Sequence, residues 1–142
     1  MRTILLPFDG SAPAMRAIQY LLNWADGYAG IQVHLITVQP MPQVFGDYAS
    51  ITMLEQLRAG ALAHAKTIIA EASALLEGSG IRFDSHTEVG EVVGEIVRAV
   101  EEYGCDTVVM GTRGMSKLGN LLMGSVATQV VHEVPVPVLL VK

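Results

Sequence analysis

The sequence predicts a single doubly wound α/β domain, and three observations carry that expectation. Apolar, β-branched runs alternate with segments of helical period along the whole chain, the pattern of a parallel sheet with helices on both faces. No repeat, low-complexity tract or linker interrupts the alternation over 142 residues, a length that buries a real core without staples. Hydrophobic residues make up 51% of the chain and mean hydropathy is +0.42, yet no apolar run approaches the ~20 residues that span a bilayer. Strands covered on both faces are continuously apolar, so a buried five-stranded parallel sheet accounts for this richness without a membrane.

The run TILLPFD, residues 3–9, closes on Asp9-Gly10 and reads as a strand followed by a turn. Ser11 is a good N-cap and Pro13 is tolerated in a first helical turn. Met15, Ile18, Leu21, Leu22 and Ala25 then recur at helical spacing up to about Gly27. IQVHLITV, 31–38, is rich in β-branched residues and reads as the second strand. The stretch QPMPQVFGDYAS, 39–50, has two prolines and no period; its Phe45 and Tyr48 either cover a ligand or anchor the loop.

From about Thr52 to Leu76 strong helix formers predominate, and Gly78 and Gly80 end the run. IRFDSHTEV, 81–89, alternates as a more exposed strand does. EVVGEIVRAVEEYG places Val92, Val93, Ile96, Val97 and Val100 on one helical face. CDTVVM, 105–110, is a buried strand, residues 125–132 a short helix, and VPVLLVK a closing strand.

The net charge of −5, with no block of Lys or Arg, argues against a general affinity for nucleic acid. MRTILLPFDG lacks the order of a signal peptide, and the lone Cys105 forms no internal disulfide; both agree with a reducing cytoplasm. A single thiol in a strand reads first as a small core residue. His34, His64, His86 and His132 show no HxxxH spacing, and no metal site is predicted.

The stretch GTRGMSKLGNLLMGSVATQVV, 111–131, follows the fourth strand directly. It matches neither a Walker A loop nor GxGxxG, so neither standard phosphate mechanism applies. Its spacing is Gly111-x2-Gly114-x9-Gly124-Ser125. Gly111 and Gly114 allow main-chain N–H groups to approach an anion without a Cβ in the way. Gly124 and Ser125 sit where the next helix begins, with unpaired N–H groups and the positive end of its dipole. In open parallel sheets ligands bind beyond the carboxyl ends of strands where strand order reverses. If the first and fourth strands are central neighbours, Asp9 and Gly111 share that crevice.

The spacing G-x2-G-x9-G-[ST] resembles the nucleotide-binding signature of the universal stress protein family, in its ATP-binding branch. The similarity extends through ILLPFDGS, the strand ending at Val38, VVMGTRG, LLMGSVATQVV and PVPVLLVK, in order and over essentially the whole chain. It implies a Rossmann-like domain spanning residues 1–142 that binds ATP, or ADP or AMP, with or without Mg²⁺. Pro7 and Asp9 would line the nucleoside pocket, and Val38 would hold adenine through its main chain. Met110 and Gly111 would approach the ribose. Thr112, Arg113, Gly114, Met115, Ser116 and Lys117 would wrap the phosphates, with Gly124, Ser125 and Val126 closing the far side.

Plainer roles compete at several of these positions. Asp9 is also suited to an Asx turn through Ser11, Ser125 to a bare N-cap, and Met110, Met115 and Met123 to packing. Asp9 is the one obvious carboxylate at the crevice, so binding is better provided for than hydrolysis. The expectation is a nucleotide-responsive stress protein acting through protein partners; a slow ATPase or phosphotransferase, and an interaction module with an empty cleft, are the rivals.

A homodimer through the C-terminal strand is also expected. VPVLLV, 136–141, is too apolar for an unprotected edge. Pro135 and Pro137 lie two apart, and their spacing suggests that Val136 and Val138 turn their amides to the fourth strand while those of Leu139 and Val141 face outward.

Overall fold

The computed structural model describes residues 1–25, 30–44, 50–112 and 123–142. Among the described residues nine elements follow in strict alternation: β1 (Thr3–Pro7), α1 (Ala12–Ala25), β2 (Gln32–Gln39), α2 (Ile51–Leu76), β3 (Arg82–Val89), α3 (Val92–Glu102), β4 (Thr107–Gly111), α4 (Ser125–Glu133) and β5 (Val138–Val141). The sheet is parallel throughout, in the order β3-β2-β1-β4-β5. The chain is thus a five-stranded, doubly wound, Rossmann-like α/β fold.

Strand alternation divides the core in two. Ile4, Leu6, Val33, Leu35 and Val109 face α1 and α2, while Leu5, Ile36, Val108 and Met110 face α3 and α4. Both faces are apolar because both are covered. α3 shows the helical counterpart: Val93, Ile96, Ala99 and Val100 form its buried stripe, and Glu91 caps it by accepting from the N–H groups of Val93 (3.1 Å) and Gly94 (2.6 Å). Burying a side chain the size of Ile96 contributes about 1.5–3 kcal/mol.

α2 behaves differently along its length. Its buried residues, Ala65, Ile69, Ala72 and Leu76, all lie in its second half, and most of residues 51–64 are exposed. The helix begins with Ser50 accepting from the Met53 N–H (3.1 Å). Its first turns therefore overhang the carboxyl ends of the strands. No described helix is long and apolar enough to cross a membrane.

Element boundaries move for local reasons. β1 ends at Pro7 rather than Asp9, although the Phe8 N–H still donates to the Ile36 C=O (2.8 Å). β4 begins at Thr107 rather than Cys105, because the Cys105 N–H turns back to the Val100 C=O (2.9 Å) and completes the exit from α3. Cys105 is buried, and burial, with Asp106 nearby, pushes its thiol up to about 11, so it stays protonated as a core residue. β5 begins only at Val138, beyond both prolines.

The predicted orientation of β5 is reversed. The Val108 N–H donates to the Pro137 C=O (2.9 Å) and the Thr112 N–H to the Val141 C=O (2.9 Å). The N–H and C=O of a strand residue point to one side, so Pro137, Leu139 and Val141 face β4. Val138 and Leu140 are the residues whose amides face outward. Pro137 can sit beside β4 because a parallel ladder there uses only its carbonyl.

Candidate functional site

β1 and β4 are neighbours, with Ile4 opposite Thr107 and Leu5 opposite Val108. The chain leaves β1 toward one face and β4 toward the other, which opens a cleft between their carboxyl ends. It encloses about 670 Å³, within the range of small-molecule sites. Of the residues expected at a site, Pro7, Asp9, Val38, Met110, Gly111, Gly124, Ser125 and Val126 all line it. Arg113, Gly114, Met115, Ser116 and Lys117, and Phe45 and Tyr48 of the earlier loop, lie outside the described residues.

Each wall has a local cause. Asp9 Oδ1 accepts from the Ser11 N–H (2.9 Å), and Gly10, at φ +82°, makes the turn that a side chain would resist. Ser11 Oγ in turn accepts from the Ala14 N–H (3.3 Å) at the start of α1. The Asx role of Asp9 is therefore real, and it fixes the carboxylate at the cleft.

Beyond Pro7, β2 continues without β1. Ile36 accepts from Phe8, so alternation turns the main chain of Val38 to the same side, toward the space that β1 vacates. The Phe8 C=O is occupied by the Thr37 hydroxyl (2.9 Å). A planar ligand edge with one donor and one acceptor would meet Val38 there.

The two described glycines of the motif do different work. A Cβ on Gly111 would stand 2.6–2.8 Å from Pro13 C, Pro13 Cβ and Ala14 N. The first turn of α1 occupies the space beside it, so helix–strand packing by itself requires a glycine here. Gly124 is the N-cap of α4, at φ −71° and ψ 161°, and carries no side chain to cap the helix. Ser125 is consequently the first helical residue and not the N-cap, which removes the plainer reading of its hydroxyl. The first turn of α4, to which Gly124 gives no side-chain cap, faces the cleft through Ser125, Val126 and Ala127.

Thr112 is the exception among the described candidates: it does not line the cleft. Its N–H donates to Val141 and its C=O accepts from the Gly124 N–H (2.6 Å). It ties the end of β4 to the start of α4.

The sequence reading missed the α2 and α3 walls. His64 and Ile68 of α2, and Val92 and Ile96 of α3, line the same cleft. His64 lies one turn before Ile68, whose side chain approaches Gly10. Helical phase alone pairs these two residues; the overhang of α2 beyond the sheet is what brings His64 to the cleft.

The profile of the universal stress protein family matches residues 1–142. A universal stress protein of Thermus aquaticus is 34% identical over 142 residues, covering 99% of this chain and 98% of its own. The solved structure of the protein MJ0577, from Methanocaldococcus jannaschii, superposes with a TM-score of 0.84 at 28% identity, covering 99% of this chain and 95% of its own. A universal stress protein from Archaeoglobus fulgidus, solved in complex with dAMP, has the same fold, with a TM-score of 0.67 at 20% identity over 100% of this chain and 98% of its own.

Proposed function

The chain belongs to the universal stress protein family, and we propose that it binds an adenine nucleotide (ATP, or ADP or AMP) in the cleft between β1 and β4. One observation carries the reading: eight residues from four separate segments, expected together from the sequence, line a single cleft at the topological switch point. The apolar Val38, Met110 and Val92 suit a purine. The first turn of α4, whose N-cap Gly124 has no side chain, suits a phosphate, which its N–H groups and dipole would stabilise. The dAMP bound by the Archaeoglobus relative is an adenine nucleotide of the same class.

The protein then acts as a nucleotide-responsive stress protein through partners, as a homodimer joined along β5. Binding is favoured over turnover, because the carboxylate that the described walls offer, Asp9, is committed to its turn.

Gly124→Val tests the site without backbone strain, since its φ and ψ are open to any residue. Calorimetry with ATP should show binding to the parent and at least a tenfold loss in the variant, with the thermal midpoint nearly unchanged. Ser125→Glu should lose binding by charge repulsion, while an acidic group in the first turn of α4 leaves stability intact. Unchanged affinity in both variants would falsify the phosphate assignment. Gly111→Val is unsuitable, because it collides with α1 whether or not a ligand binds.

A further inference from the structure

Away from the cleft, on the α3 face of the sheet, three rings from three segments meet. His34 of β2 and His86 of β3 approach with Nδ1 and Nε2 3.1 Å apart. Their ring centres are 5.3 Å apart and their planes 25° apart. That separation is close to the largest a 3.1 Å nitrogen contact permits, so the two nitrogens aim at each other rather than converge on a third point. Tyr103, which follows α3, lies nearly parallel to both rings, at 4.8 Å and 11° from His34 and 4.1 Å and 15° from His86.

We propose that His34 and His86 form a proton-sharing pair that latches the β3 edge to β2, beneath the Tyr103 ring at the end of α3, and releases on acidification. The geometry admits one proton between the two nitrogens. With both rings neutral, one donates and the other accepts; with one ring cationic, the contact is a charge-assisted hydrogen bond. With both rings cationic, two N–H groups face each other at 3.1 Å and the contact must open. A divalent metal fits less well: the lone pairs do not converge, and the described residues include no cluster of three His, Cys, Asp or Glu side chains able to hold one.

The surroundings set the order of events. Burial, and then the neighbouring His34, hold His86 below the usual histidine range, against the opposing pull of Asp84 and Glu88 on β3 and Glu102 on α3. Arg98 of α3 pairs with Glu88 (3.3 Å), Glu95 (2.6 Å) and Glu102 and so weakens that pull. Burial, then Glu102, keeps the Tyr103 phenol protonated above its usual range, and it brings no charge at neutral pH. A histidine with a lowered folded-state pKa binds fewer protons than it does in the unfolded chain. Its contribution to stability is therefore complete above the unfolded value of about 6.5 and is lost as pH falls through the folded value.

The test is a titration of the imidazole resonances of the full chain by NMR from pH 4 to 9. In the parent, the His86 resonances should move in two linked steps, the lower of them below the ordinary histidine midpoint. In His34→Gln the His86 curve should become a single step shifted upward. Hydrogen exchange on the unmodified protein gives an independent readout: amides of β3 and of the last turn of α3 should lose protection between pH 7 and pH 5, while β4 keeps its own. A single-step His86 curve in the parent, or uniform loss of protection across the sheet, overturns the proposal.

Discussion

The two edges of the sheet solve the same physical problem in opposite ways. An edge strand exposes unpaired N–H and C=O groups and invites pairing with another chain. β3 guards its edge with chemistry: Arg82, Asp84 and Ser85 are exposed, His86 is held against His34 and Tyr103, and Glu88 pairs with Arg98. β5 carries none of this. It is four residues long, Val138-Leu139-Leu140-Val141, half-buried throughout, and wholly apolar. An edge protected by charge is complete in a monomer, whereas an apolar edge of half-buried residues calls for a covering strand. The asymmetry is the physical ground for the proposed β5 dimer.

Proline scanning of β5 puts the largest effects on this contrast. The register implies that the Leu139 N–H supplies the Val108 C=O. Leu139→Pro orphans that buried carbonyl, which costs roughly 1–3 kcal/mol before lost packing is added. Leu139 also packs on the α1–α2 core, so chemical denaturation should show a strongly destabilised protein. Leu140→Pro removes an outward donor instead. Leu140 packs on the α3–α4 core, so some stability is lost, but less than in Leu139→Pro because no buried carbonyl is orphaned. The mass seen by light scattering should fall from dimer to monomer. If Leu140→Pro unfolds the chain and Leu139→Pro merely dissociates it, the assigned orientation of β5 is wrong.

The reversed orientation shows where sequence reasoning gives out. Element order, the parallel sheet and the shared crevice of Asp9 and Gly111 follow from periodicity and topology rules, which act over many residues at once. Which way one β5 amide points depends on whether β4 uses the Pro137 carbonyl, a choice of one residue in register. Site legibility divides similarly. Asp9 and Gly124 were readable because a strand end and a motif mark them, and Pro7 and Val38 because the family resemblance implies them. His64 was not, since its place depends on how far α2 extends past the sheet. Nor was the reason for Gly111, which is set by α1, about a hundred residues earlier in the chain. The His34–His86 contact was also hidden: each looked isolated in sequence, and only the β2–β3 register makes them neighbours.

The smallest expected effect lies on the charged edge. Arg98 is about half exposed and pairs with Glu88, Glu95 and Glu102, so Arg98→Ala should lower stability by less than about 1 kcal/mol at low salt, and by less still at 1 M salt, where exposed charges are screened. Its electrical consequence is easier to see. Without the guanidinium, Glu88 and Glu102 act on His86 unopposed, and both favour its protonated form. The His86 midpoint should therefore rise in Arg98→Ala, and acid should open the latch at a higher pH than in the parent. Replacing Glu88 by Gln in the same background should bring the midpoint back down. A His86 curve that ignores both changes would mean that the carboxylates of this edge serve solubility alone, and β3 would then differ from β5 in polarity but not in responsiveness.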